Sequence, residues 1–153
     1  MPVNFKEQLE IALFQYDAAF HLLNVTFPLV NDPKLLIGVI DNIFKSMDAT
    51  LQAILLEAKE KKIINNFGPT FLGRIDSFRT NIVFKNKFSL NHLHTIVDLN
   101  DILEMHKKSP MEFQRGNKFV ISGQDYRLRV ISINDTRNFL QEAKDFLDLA
   151  QEQ

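Results

Sequence analysis

The residues best suited by type and spacing to chemistry lie in segment 92–101. His92 and His94 are two residues apart, and on an α-helix they would point about 200° apart, so one ion could not easily bind both. His94, Asp98 and Asp101 follow one side of the same helix, and such a row could hold a divalent metal. The alternative is an ordinary solvent-facing side, because isolated motif matches are usually coincidental. We favour the alternative and predict no metal site.

Other catalytic arrangements are missing from the sequence. No Ser or Thr occupies a Gly-flanked elbow, and the five Gly residues do not cluster into a phosphate-binding loop. The chain has no Cys, which excludes disulfide frameworks, thiolate zinc sites and Cys nucleophiles. His106 lies on a mostly apolar arc near a predicted helix end, where the helix dipole favours it, and we interpret it as structural. The sequence therefore predicts no catalytic residue and no cofactor.

Four basic residues lie in or just before a predicted β-hairpin, and together they could form a surface that contacts phosphates. Such contacts would add affinity for nucleic acid without reading its sequence. The alternative is an outer strand face that charge keeps soluble and protects at its edge. We favour this alternative because aromatic residues that could stack on bases are missing from that face. The four candidate nucleic-acid-binding residues are Arg115, Lys118, Arg127 and Arg129.

A change of sequence period predicts a β-hairpin with strands over 119–121 and 126–132. In the second strand, Tyr126, Leu128 and Val130 share one face, and Arg127 and Arg129 share the other. We expect the apolar face to be packed and the arginines to form an outer face. Because a lone hairpin is unstable in water, it must lie against helices.

Apolar residues at three- and four-residue spacing predict five helices. Pro28 is expected to end the first helix, and Asp32 with Pro33 to begin the second. Ser89 is expected to cap the fourth, and either Ser132 or Asn134 the fifth. The first four ranges are 4–24, 33–62, 70–83 and 90–107. The sequence thus predicts a mainly α fold, an up-and-down bundle of about five helices with one β-hairpin inserted before the last helix.

The second helix is apolar over most of its circumference. Such a helix is either central in the monomer or in contact with another chain. Because two-fold pairing is the commonest way to cover a leftover apolar patch, we predict a homodimer. The predicted dimer contact consists of Ile40, Phe44, Met47 and Leu51. The second helix has one polar strip, which we interpret as a water-facing stripe; if the helix is covered on all sides, the strip would instead be an interior polar network. The strip consists of Asp41, Lys45, Asp48 and Gln52.

The composition predicts one domain over residues 1–153. With 45% hydrophobic residues and 14 Phe, the chain can bury a large core without a disulfide or a metal. Its net charge of -1 provides no overall attraction to nucleic acid, although segment 59–87 is basic and segment 134–153 is acidic. The charged N-terminus is unlike a signal peptide, and no apolar stretch is long enough to span a membrane. We expect a cytoplasmic protein.

Two segments resemble the HEPN-like helical bundles of prokaryotes. They are ALFQYDAAFHLLNVTFPLVNDPKLL in the opening helices and RNFLQEAKDFLDLAQEQ at the close. Together with the long second helix they cover about half of the chain. The resemblance implies an intracellular, usually dimeric bundle that works with a nucleotidyltransferase partner or acts on RNA. Catalytic members carry Arg and His four to six residues apart. Arg74, Arg79 and Arg115 have no His at that spacing, which implies a non-catalytic member.

These observations leave several classes of function open. We favour a non-catalytic binding or scaffolding module that acts through a partner protein or through self-association, since this accounts for the wide apolar arc of the second helix. The main alternative is an RNA-associated protein that uses the basic middle segment and the hairpin face. A third possibility is an enzyme whose site is assembled from distant residues such as His21, His94 and Asp98.

Overall fold

A computed structural model describes residues 4–82 and 88–152, which form five helices and one small sheet. The order of elements confirms the predicted mainly α fold with strands inserted before the last helix. The predicted helix end at Val83 lies outside the described residues, as do Lys85 and Lys87 of the basic segment. The helices are α1 (Phe5–His21), α2 (Leu35–Glu60), α3 (Phe71–Asn81), α4 (Leu90–Lys108) and α5 (Ile133–Gln151); the strands are β1 (Met111–Arg115), β2 (Lys118–Ser122) and β3 (Leu128–Ile131).

The first helix continues beyond its predicted end at Pro28. A π-helical turn, Leu22–Thr26, connects α1 to a final α-helical turn, Phe27–Val30. In the π turn, the backbone N–H of Phe27 donates to the carbonyl of Leu22, five residues earlier. A proline ring clashes with the carbonyl four residues before it in a regular α-helix, and the wider turn relieves this clash. The predicted range of 4–24 was therefore too short, because residues 25–30 are also helical.

Serine side chains set the starts of α4 and α5. The hydroxyl of Ser89 accepts a hydrogen bond of 3.0 Å from the backbone N–H of Asn91, as predicted for the fourth helix. The hydroxyl of Ser132 accepts one of 3.0 Å from the backbone of Asp135, whose carboxylate accepts from the backbone of Ser132 in return. This reciprocal capping box identifies Ser132, rather than Asn134, as the cap of α5.

The long helix α2 lies at the centre of the molecule, packed against α1, α4 and α5. Ile40, Met47 and Leu51, three of the four predicted dimer-contact residues, are buried within the single chain. Phe44 is half-buried, and its ring meets that of Phe71 at 5.4 Å between centroids. The chain's own helices therefore account for the apolar arc of α2. These buried side chains have no surface to offer a second copy, and the homodimer itself stays a prediction.

The seam between α1 and α2 is formed by small side chains. Ala12 and Ala49 are buried there together with Leu147 of α5. Ser46 is fully buried, and its hydroxyl donates to the carbonyl of Ala12 at 2.8 Å. Small residues allow the helix backbones to approach closely enough for this hydrogen bond.

None of the helices in the described part of the chain has the length and apolar character needed to cross a membrane.

The three strands form an antiparallel sheet in the order β1-β2-β3. β1 was not predicted; it pairs with β2 across a two-residue turn at Gly116 and Asn117, where Gly116 takes a positive φ of 61°. One face of the sheet, the inner face, packs on the helices through Phe119, Ile121 and Ile131, all of which belong to the main core. The opposite face, which we call the outer sheet face, points away from these contacts.

Candidate interaction surfaces

Arg129 lies on the inner face of the sheet, contrary to the expectation that it faces outward. It pairs in register with Ile121, and Ile131 is two residues further along the same side. Its guanidinium donates two hydrogen bonds to the carboxylate of Asp98 on α4, at 2.8 and 2.9 Å. These hydrogen bonds raise the pKa of Arg129 further, despite partial burial. The prediction was wrong because Ile131 is buried, and residues two apart in a strand face the same side, so Arg129 also faces the helices. The carboxylate of Asp98 then neutralises the charge of Arg129.

Arg127 does not join the other basic residues either. It precedes β3 in the turn after β2, and its guanidinium forms a salt bridge with Asp125 in the same turn. Hydrogen bonds from Arg127 hold the pKa of the exposed Asp125 below its ordinary value. The structure therefore separates the four predicted phosphate-contacting residues into two groups. Arg127 and Arg129 each have an aspartate partner, whereas the other two lie at the far end of the sheet.

Arg115 and Lys118 face each other across the β1–β2 turn, on the outer sheet face. Neither residue makes a salt bridge with any residue that the structure describes. The guanidinium carbon of Arg115 lies 5.6 Å from the centroid of the Phe113 ring, a cation–π contact. These two cations thus form one positively charged end of the face.

The rest of the outer sheet face is apolar except for Ser122. The strand register places Phe113, Val120 and Val130 in one row across the three strands, and Met111, Ser122 and Leu128 in the next. Val120, in the middle strand, is fully buried, so the exposed apolar surface comes from the two outer strands. Met111 is 62% exposed and Leu128 is 51% exposed. The three strands contain one acidic residue, Glu112, which lies on the inner side and pairs with His106 at 2.6 Å. The strands therefore contribute two cations and no carboxylate to the outer sheet face.

A second set of exposed apolar side chains is spread around the solvent-facing half of the first helix. Phe14 is 70% exposed and Leu29 is 83% exposed. Half of the fourteen large apolar side chains that are exposed in the described residues belong to this one helix, so the exposure is concentrated there. We call this set the N-terminal surface; it consists of Ile11, Leu13, Phe14, Phe20, Val25, Leu29 and Val30.

Two carboxylates lie within the N-terminal surface, between Leu13 and Phe14. Glu10 and Asp17 lie three or four residues from Leu13 and Phe14, so they are neighbours on the helix. Neither acid makes a salt bridge with a described residue.

Further acids lie near Tyr16, on the adjoining side of α5. Burial raises the pKa of Tyr16, against the opposing effect of Lys144, and the carboxylates of Asp148, Asp17 and Asp145 raise it further. These three acids are therefore close to the tyrosine at the seam of α1 and α5. Lys144 balances one of them, since it pairs with Asp148 at 2.8 Å. The N-terminal surface thus combines exposed apolar side chains with interspersed acids, and further acids lie at the seam of α1 and α5.

The histidine and aspartate row on α4 is not arranged as a metal site. Asp98 is engaged by Arg129, and residues 4–82 and 88–152 contain no group of three or more potential His, Cys, Asp or Glu ligands that could hold an ion. His92 points away from the row, into the core. Its ring stacks on Phe146 at 5.0 Å between centroids and its Nδ1 lies 3.1 Å from the carboxylate of Glu142.

The polar strip of α2 is divided: Asp41 and Lys45 pair at 2.8 Å at the surface, as a water-facing stripe would, whereas Asp48 and Gln52 belong to a partly buried network. The guanidinium of Arg74 on α3 donates to both carboxylate oxygens of Asp48, at 3.1 and 2.9 Å, and the side-chain amide of Gln52 donates to one of them at 3.2 Å. Gln8 of α1 then donates to Gln52. Burial raises the pKa of Asp48, although the charge and hydrogen bonds of Arg74 oppose this shift. The network connects three helices and exposes little surface.

Comparison of the chain with models of protein families, with curated proteins and with solved structures gave no match. The candidate sites therefore rest on the geometry of this chain. The sequence indicated Arg115 and Lys118, which lie on the outer sheet face, but it indicated neither the apolar part of that face nor the N-terminal surface. Alternation of Met111, Phe113 and Arg115 with polar residues was a signal for β1 and its outer side. The N-terminal surface had a weaker signal, because single exposed apolar residues are common on helices.

Proposed function

We propose that this protein is a non-catalytic binding and scaffolding module that associates with itself through its N-terminal surface. The observation that carries the proposal is the exposure of Phe14, Leu29 and their apolar neighbours along one helix. Seven of the fourteen large apolar side chains exposed in the described residues lie on this helix, and a concentration of exposed apolar side chains marks a site of protein interaction. A homodimer at micromolar concentration is the smallest assembly that would cover it.

The arrangement of residues in the N-terminal surface supports an interface. Interfaces commonly have an aromatic or aliphatic centre surrounded by polar groups that exclude water. Leu13 and Phe14 would supply apolar anchors, and Glu10 and Asp17, which lie between them on the helix, would supply polar contacts. The core does not need these side chains, because α2 is already covered by the chain's own helices. A nucleotidyltransferase is the partner protein that the HEPN-like resemblance would add to this proposal.

Light scattering of the purified protein tests the proposal. The wild type should have a mass above that of the 17.8 kDa chain at micromolar concentration. Phe14→Glu should return it to the monomer, because the contact would bury an unpaired carboxylate. Leu72→Glu is the matched control, since Leu72 is 71% exposed on α3, outside the N-terminal surface. A wild type that stays monomeric over the whole concentration range would refute self-association, as would a Phe14→Glu variant with unchanged mass.

RNA association is the second candidate function. It is favoured by the two cations without salt-bridge partners, Arg115 and Lys118, and by the Phe113 ring beside them, on which a base could stack. Binding of this kind would weaken steeply with salt, since phosphate contacts release counterions. Fluorescence anisotropy of a labelled single-stranded RNA at two salt concentrations measures it. No salt-dependent binding by the wild type would exclude this candidate.

A further inference from the structure

From the two surfaces we infer a head-to-tail contact, in which the N-terminal surface of one copy docks on the outer sheet face of a second copy. This inference rests on the proposed self-association and names the surface that receives it. Both surfaces have exposed apolar side chains, and both belong to the same chain. They are therefore always present at equal concentration, which suits a contact between copies.

Charge complementarity selects this pairing. The outer sheet face contributes Arg115 and Lys118 and no strand carboxylate. The N-terminal surface contains Glu10 and Asp17, with Asp145 close by on α5. Docking would bring Arg115 and Lys118 within reach of Glu10 and Asp17, and none of these four has a salt-bridge partner among the described residues. Leu13 and Phe14, which lie on either side of the two acids, would then meet Phe113 and Val130. Charges arranged in this way steer encounter and fix the partner.

The same charges disfavour the symmetric alternatives. Two N-terminal surfaces facing each other would bring Glu10 and Asp17 of one copy against the equivalent acids of the other. Two outer sheet faces would similarly oppose Arg115 and Lys118 to themselves. Like charges placed opposite each other in an interface cost several kcal/mol and exclude the wrong partner. A contact between unlike surfaces avoids both oppositions.

The positions of the two surfaces give the contact a direction. The N-terminal surface lies on α1, which packs on α2 and α5, whereas the sheet packs on α4. A pair of copies joined by one contact leaves an N-terminal surface unused on one copy and a sheet face unused on the other. Contacts between unlike surfaces extend into rings or open chains when further copies add. The average mass should therefore continue to rise above that of a dimer as concentration increases.

Two blocked variants test the inference in one mixing experiment. Phe14→Glu blocks the N-terminal surface and leaves the sheet intact, whereas the double variant Arg115→Glu, Lys118→Glu blocks the sheet and leaves the N-terminal surface intact. At a concentration at which the wild type associates, each variant alone should be monomeric by light scattering, because its dissociation constant should be raised at least about tenfold. An equimolar mixture should form a dimer that does not grow further. Arg127→Glu is the control, because Arg127 is an exposed cation outside the outer sheet face, and its mass should match the wild type.

The remaining outcomes separate this inference from the proposed function. If the wild type associates and the sheet variant associates equally well, the head-to-tail contact is wrong while self-association stands. If the wild type is monomeric, the proposed function fails and the inference fails with it. A sheet variant that keeps its mass but loses binding to a labelled oligouridine would identify the outer sheet face as an RNA surface and overturn the inference. Circular dichroism of each variant confirms that the helices are retained.

Discussion

The helices α1 and α2 are both rich in apolar residues, yet they use them differently. α2 is surrounded, and its large side chains, including Ile43, Met47 and Leu55, are completely buried. The first helix buries one narrow side through Ala12, Ala19 and Leu23 and leaves Phe14 in water. Apolar content alone therefore does not identify an interface. The number of neighbours around a helix decides whether its apolar residues form core or surface, and only the second kind is available to a partner.

A matched pair of Leu→Ala substitutions gives the largest expected difference between the two helices. Leu51 is 1% exposed on α2, and its truncation should lower the free energy of unfolding by about 2–5 kcal/mol, because it leaves a cavity in the core. Leu29, which follows α1, is at the surface, and its truncation should change this free energy by less than about 0.5 kcal/mol. Urea unfolding measures both. Equal losses would show that Leu29 contributes to the core and would remove the contrast.

The hydroxyl of Ser46 joins the two helices, and its removal should have an intermediate effect. Ser46→Ala deletes the buried hydrogen bond to the carbonyl of Ala12 and should cost about 0.5–1.5 kcal/mol. Thr80→Ala is the control, because the Thr80 hydroxyl bonds to Asp76 within its own helix at the surface. Chemical unfolding of both variants gives the comparison. A loss no greater in Ser46→Ala than in Thr80→Ala would mean that the seam does not depend on this contact.

The smallest expected effect is a pH dependence that comes from Asp48. Because the pKa of Asp48 is above 3.8 in the folded protein, the folded state holds this proton more tightly than the unfolded chain. Its contribution to stability is fully present below pH 3.8 and is lost as the pH rises through the folded-state pKa. As the pH rises from below 3.8 through the folded-state pKa, the free energy of unfolding of the wild type should therefore fall relative to that of Asp48→Asn. Unfolding curves at several acidic pH values measure this difference, and a difference of the opposite sign would contradict the assignment.

The helices could be predicted from sequence because each depends on local spacing and caps. Ser89 and Ser132 show this, since the residues that accept and donate the capping bonds are two or three positions apart. The faces of the sheet could not be predicted in the same way. The orientation of Arg129 depends on Asp98, 31 residues away, and on which face of the sheet the helices cover. Both are tertiary facts that alternation within one strand does not contain.

The candidate surfaces depended on tertiary packing even more strongly. The spacing of Ile40, Met47 and Leu51 correctly marked a broad apolar side of α2, but the sequence could not determine how many helices cover it. Phe14 belongs to a helix whose apolar stripe resembles that of a buried helix, and its exposure follows from the absence of a described neighbour on that side. Which apolar residues remain at the surface is decided only when the bundle is assembled.

The π turn has a consequence for how this gene can change over time. The turn contains one residue more than a regular α-helix would need between Leu23 and Phe27, both of which are buried. Loss of the exposed Asn24 would restore a regular helix and keep both residues on the buried side, three positions apart. Pro28 obstructs this change, because its ring would then meet the carbonyl four residues earlier. Descendants one residue shorter in this segment should therefore also have replaced the proline.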